Sequence, residues 1–251
     1  RYPQAYDGEI ARADEIVGTF LQRLRQWGLY ERALVIFLSD HGEGLGDHGE
    51  REHGVFLYRE AIRVPLLVKF PGNLRARETV SAPVGLIDVF PTVARVLGLA
   101  APAARPGVSV TAFLEKTFPA RRIYSETLYP RLRLGWSDLA SLVDERYHYI
   151  EAPRPELYDI AADPGEKADL SKGLPPAFRA MRVELARMAR PFQMPGAADS
   201  EHARKLVSLG YLSATSALAK TKDLADPKDR IESSTRRGSS GTSSRRDGMP
   251  N

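Results

Sequence analysis

A carboxylate and an imidazole on adjacent residues, Asp40-His41, directly follow the apolar run Ala33-Leu34-Val35-Ile36-Phe37-Leu38-Ser39 and directly precede Gly42. The pair offers one oxygen and one nitrogen donor. Both can reach a single divalent ion if the backbone turns sharply, and Gly42 permits that turn. The alternative is that Asp40 caps a turn and His41 is a solvated loop residue. The string returns as Asp47-His48-Gly49-Glu50, among Gly44, Gly46 and Gly49. This second pair is a competing candidate for the metal, but lacking a rigid element to hold it, it reads more readily as a mobile acidic surface loop. His53 follows in Glu52-His53-Gly54-Val55 and can return to the Asp40 cavity as the loop closes. An imidazole there can hold an anion as a cation, or protonate a leaving oxygen as general acid; otherwise it caps the turn before Val55. Arg63 can bind an anion but pairs more readily with Glu60 or another carboxylate. His148, between Tyr147 and Tyr149 in a strand-like run, reads as structural, and His202 on a polar helix face carries no signal. Arg131 and Arg133 can touch an acidic substrate, although exposed arginines are the simpler reading.

The elements that must position these residues alternate in type. Ile10, Val17, Phe20, Leu21 and Leu24 share one face at helical spacing, with Asp7 as N-cap and Gly28 as stop. The run 33–39 is short, continuous and rich in Val, Ile and Phe, so it predicts a strand buried on both faces, as in parallel sheets. Residues 40–60 are polar and Gly-rich, hence a loop. Val64 to Phe70 predicts a second strand closed by Pro71-Gly72, and Leu86 to Leu97 a helix with Pro91 in its first turn. Ligand sites in open α/β sheets gather at carboxyl ends of strands, where Asp40-His41 falls. After Pro106 the runs 122–127, 137–143 and 146–150 shorten and partly alternate, predicting an antiparallel patch. Residues 176–190 and 200–209 predict amphipathic helices, and the Ser-, Gly-, Arg- and Thr-rich residues 232–251 a disordered tail.

Composition bounds the function. A chain of 251 residues with 36 Lys+Arg against 32 Asp+Glu carries a net charge of only +4, too little for a nucleic-acid partner. No apolar run approaches the roughly 18 residues of a membrane helix. With no Cys, thiolate ligands, disulfides and a cysteine nucleophile are excluded within this chain. The start at Arg1, running almost at once into a helical pattern, suggests a piece of something longer.

Taken in order, these strings resemble the sulfatase family of the alkaline phosphatase superfamily. Leu34 to Glu43 resembles its metal-binding segment, and Tyr6-Asp7-Gly8-Glu9-Ile10 with Asp14 and Val17-Gly18 the helix before it. His53-Gly54 with Leu57-Tyr58, Arg63-Val64-Pro65-Leu66 and Pro71-Gly72 resemble the segment after it. Pro83-Val84, Asp88 and Pro91-Thr92 resemble the next helix, and Glu156-Leu157-Tyr158-Asp159 with Asp163-Pro164 and Glu166 the late turn. Leu206 to Tyr211 and Asp226-Pro227-Lys228-Asp229 are similar, more weakly, to the stretch leading into helical repeats in some bacterial sulfatases.

The resemblance implies Asp40 and His41 as two ligands of one divalent cation, most often Ca2+ and sometimes Mg2+, and a sulfate ester as substrate. It places His53 where many relatives carry a lysine that contacts the sulfate and the leaving oxygen. It also implies a periplasmic or extracytoplasmic location. The family's nucleophile, a formylglycine made from Cys or Ser in Cys/Ser-x-Pro-x-Arg, has no counterpart here, nor does the early Asp-Asp pair. The expectation is therefore the C-terminal part of a sulfatase-like enzyme, unable to turn over alone. A phosphodiester or phosphonate hydrolase or phosphoglycerol transferase of the same superfamily is the alternative, and a non-catalytic, protein-binding remnant the second. The expected fold is α/β: a partial alkaline-phosphatase-like mixed sheet flanked by helices, then a small antiparallel sheet with a C-terminal helix. The expected divisions are an α/β core over 1–120, the sheet-and-helix unit over 121–190, a helical linker over 191–231 and the tail over 232–251.

Overall fold

The computed structural model describes residues 2–100, 106–115, 120–188 and 224–231. The expected helix at 200–209 and the tail at 232–251 lie outside the described residues. Helix α1 (Tyr2–Gln26) opens the chain. It begins ahead of Asp7, because Pro3 suits a first helical turn, so Asp7 lies inside the helix rather than at its cap. Gly28, with φ of 66°, closes it by donating to Arg25 O.

Strands β1 (Val35–Leu38) and β2 (Leu66–Lys69) pair antiparallel, Phe37 opposite Leu67 and Ile36 opposite Val68. This corrects the expectation of parallel packing with both faces buried. The chain over 39–65 folds back on itself instead of crossing over through a long helix, forming only a 3-10 turn at Asp47–Gly49 and the single turn α2 (Arg59–Ile62). One face, carrying Val68, packs with Phe70 against Val110 and Phe113, while Leu67 on the other is 59% exposed. Lys69 ties the pair to the turn between α1 and β1 by donating to Tyr30 O and to Ala33 O at 3.1 Å.

Helices α3 (Val89–Val96) and α4 (Val110–Leu114) are stapled by Asp88, fully buried. Its carboxylate accepts from Gly85 N at 2.9 Å, Val108 N at 2.7 Å and Arg121 Nη1 at 2.9 Å. Thr92 Oγ1 donates to Asp88 O and accepts from Val110 N. Pro91 sits in the first turn of α3, as expected, where a missing N–H breaks no helical bond.

Four antiparallel strands follow in sequence order: β3 (Ile123–Thr127), β4 (Leu139–Val143), β5 (Tyr147–Glu151) and β6 (Glu156–Asp159). Alternation gives the sheet two buried faces. On one, Leu142, Tyr149 and Leu157 align across β4–β6 and take Phe178, Met181 and Leu185 of α5 (Pro176–Met188). On the other, Leu139, Ile150 and Tyr158 pack against Val55 to Tyr58, the segment that follows His53. The sheet is thus the floor on which the candidate site's loop rests. The fold is α/β, with the small antiparallel sheet and its helix as expected.

Candidate active site

Asp40 and His41 stand at the carboxyl end of β1. His41 Nδ1–H donates to Gly42 O at 2.9 Å, which fixes the tautomer and leaves the Nε2 lone pair available. That Nε2 lies 3.7 Å from Asp40 Oδ1, a separation that one ion can bridge, and both side chains are open to solvent. Gly42 then brings the loop home. Its N–H donates to Ala61 O at 2.7 Å, and a Cβ there would sit 1.9 Å from Glu60 O. No other residue fits this approach without moving the backbone.

The loop folds His53 onto the same spot. Its imidazole stacks on that of His41, centroids 3.8 Å apart and planes inclined by 25°. The structure therefore brings together Asp40, His41 and His53, three residues singled out from sequence. Two glutamates hold the arrangement. His53 Nδ1 faces Glu43 Oε2 at 3.4 Å, and buried Glu50 accepts from Val55 N and Phe56 N at 2.8 and 2.9 Å. Burial pushes the Glu50 carboxyl up, against the downward pull of those two N–H groups. Thr127 Oγ1 donates to Gly54 O and so ties the loop to β3. Sequence reasoning missed Glu43 and Glu50, although the repeated Asp-His-Gly-Glu string ends on one of them each time.

The second pair behaves differently from expectation. Asp47-His48 is no loose excursion: His48 Nδ1 donates to Glu60 Oε1 at 2.6 Å and Nε2 to Glu166 O at 3.1 Å. The ring also stacks on Tyr58 with centroids 3.7 Å apart. Two acceptors call for two ring protons. Burial would push the His48 pKa down, but the bonds to Glu60 and Glu166 outweigh it and hold it above the ordinary 6.5. Glu60, one of the carboxylates expected for Arg63, is thus engaged by His48. Glu166 Oε1 meets buried His148, structural as expected, while Oε2 accepts from Arg59 N at 2.8 Å. Arg131 reaches Asp138 at 3.2 Å. A cleft of about 750 Å³ opens beside His48, lined by Asp47, Arg59, Arg63, Glu156 and Lys167, and contains neither Asp40, His41 nor His53.

Among the described residues no group of three or more His, Asp or Glu is arranged to hold a metal. Asp40 and His41 fit a divalent ion as two donors of its shell, with the imidazole tautomer already set for ligation.

The sulfatase family model matches residues 1–99, which contain all three site residues. The chain is 31% identical to the multifunctional alkaline phosphatase superfamily protein PehA of Trinickia caryophylli over 207 residues, covering 75% of this chain and 40% of that protein. The chain belongs to the sulfatase family, within the alkaline phosphatase superfamily. Another relative of this sulfatase-family chain is arylsulfatase K of Bos taurus, 29% identical over 192 residues, 72% of this chain and 35% of that one. Among solved structures, the phosphonate monoester hydrolase of Agrobacterium radiobacter superposes with a TM-score of 0.58 at 28% identity, over 84% of this chain and 42% of that chain. The chain spans about two fifths of the length of these relatives. No helix among the described residues is long and apolar enough to cross a membrane.

Proposed function

We propose that this chain carries one half of the active site of a metal-dependent sulfuric ester hydrolase. The observation that supports the reading is the convergence of Asp40, His41 and His53, with His41 Nε2 left free for a metal and the His53 ring stacked beside it. Asp40 and His41 would hold one divalent ion, Ca2+ or Mg2+, which as a Lewis acid supplies charge neutralisation at the non-bridging oxygens of the ester. His53, with Glu43 to orient its ring, would contact the sulfate or protonate the departing oxygen. The remaining ligands and a formylglycine nucleophile would come from sequence outside these 251 residues, in keeping with the two fifths of its relatives that the chain spans.

The chain by itself should therefore bind metal weakly and turn over no aryl sulfate; robust hydrolysis by this polypeptide alone would overturn the reading. In the enzyme that contains both halves, Asp40→Ala should lower aryl sulfate turnover by about 10²–10³-fold or more. Unchanged turnover would remove Asp40 from the site. A second reading, a phosphonate or phosphodiester hydrolase, draws on the likeness to the phosphonate monoester hydrolase. Comparing an aryl sulfate with an aryl phosphonate as substrates of that enzyme separates the two.

A further inference from the structure

Residues 224–231 lie far along the chain from the loop that carries His53, yet they pack directly against it. Ala225 bridges to Trp136 in parallel fashion, and Ser137 N donates to Ala225 O at 2.9 Å. Asp226 is buried: its carboxylate accepts from Arg154 N at 3.1 Å and from Lys228 N at 3.0 Å. Arg154 returns a two-pronged ion pair to Asp229, at 2.7 and 2.8 Å. Lys228 Nζ donates to Arg154 O at 2.7 Å and meets Glu156 Oε2 at 3.1 Å.

Two of these contacts lead straight into the site's loop. Glu156 also accepts from Tyr58 OH at 3.0 Å, so Lys228 and Tyr58 share one carboxylate. Ile231 is buried in the cluster formed by Val55, Phe56, Leu57 and Tyr58. At Gly49, with φ of 85°, a Cβ would already touch Ile231 Cγ2 at 3.4 Å, so the backbone of the loop lies against this side chain.

We infer that residues 225–231 act as a peptide ligand built into the chain, a strap whose docking holds the 49–58 loop and thereby positions His53. Buried Asp226 and Pro227 set its register on the sheet; Ile231 grips the loop directly, and Lys228 grips it through the Glu156 carboxylate that it shares with Tyr58. The consequence for catalysis rests on the proposed role of His53, whereas the docking stands independently of it.

Hydrogen exchange of the full chain tests the docking without any substrate, so its failure is separate from failure of the sulfatase reading. The amides of Val55 and Phe56, bonded to Glu50, report on the loop. Ile231→Ala and Lys228→Met should each speed their exchange by about tenfold or more while amides of α5 and the β4–β5 pair keep their protection. Ile231→Leu, which keeps the apolar anchor, should retain slow exchange at both. Phe178→Ala, in the core on the opposite face of the sheet, serves as the control for general destabilisation. The inference is overturned if the strap variants accelerate only residues 225–231. It is equally overturned if Val55 and Phe56 respond no more to Ile231→Ala than to Phe178→Ala.

Discussion

The two sheets of this protein differ in how much of their apolar surface the described residues cover. The four-stranded sheet is covered on both faces, by α5 on one and by Val55 to Tyr58 with Ile231 on the other. Tyr149 meets Phe178 edge to face at 5.2 Å, and Leu142, Tyr149 and Leu157 are fully buried. The β1–β2 pair buries only the face that packs on Phe70, Val110 and Phe113. Phe37 and Leu67, opposite each other, remain exposed, and so do Ile10 and Phe20 on the helix that precedes them. One sheet makes its own core. The other holds the candidate metal ligands on a scaffold whose outer apolar face the described residues leave open, the kind of surface that seeks a partner.

The strongest responses will come from the bonds that join the two regions. Glu166 links β5 through His148 to α2 through Arg59 N, and removing it strands a buried imidazole and a backbone N–H. Glu166→Ala should cost about 3–5 kcal/mol in denaturant unfolding. A loss below 1 kcal/mol would mean that the regions are not coupled there. Met181→Ala opens a cavity inside the self-contained core and should cost about 2–5 kcal/mol, lowering the unfolding midpoint.

A smaller effect belongs to His48, and it has a sign. Because the folded pKa lies above 6.5, protonated His48 stabilises the fold fully below about pH 6.5, and that stabilisation fades as pH rises through the folded value. His48→Gln should narrow its stability deficit against wild type as pH rises above about 6.5, measured by thermal unfolding; a constant deficit would contradict the imidazolium. The smallest effect sharpens the contrast most. Leu67→Lys should change stability by no more than about 0.5 kcal/mol while reducing self-association in light scattering. A cost above about 2 kcal/mol would show that the face is covered within this chain and would erase the difference between the sheets.

Much of this was legible in the residues because it is local. The short Val- and Ile-rich runs gave both strands to within two residues, and partial alternation after Pro106 gave three of the four antiparallel strands, with β6 read only as part of a turn. Asp40, His41 and His53 were marked by type and by the glycines around them. The misreadings share one cause. An apolar run says that a strand will be covered, not by what or in which direction it pairs, so β1 and β2 read as parallel and fully buried. Likewise Asp47-His48 reads as a loose loop until the partners of His48 are known, and these are Glu60 and the distant Glu166.

The sequence alone therefore determined where the chain turns and extends, and which residue types meet at the end of β1, since backbone preference and side-chain period are properties of neighbours. Only the tertiary structure decided that His53 stacks on His41, that the two glutamates of the repeated string hold that loop, and that Ile231 comes back to pack beneath it. Those contacts join residues up to 182 positions apart, counting from Gly49 to Ile231. They form because burying apolar surface and satisfying buried carboxylates are conditions on the whole fold, which no short stretch of chain can meet by itself.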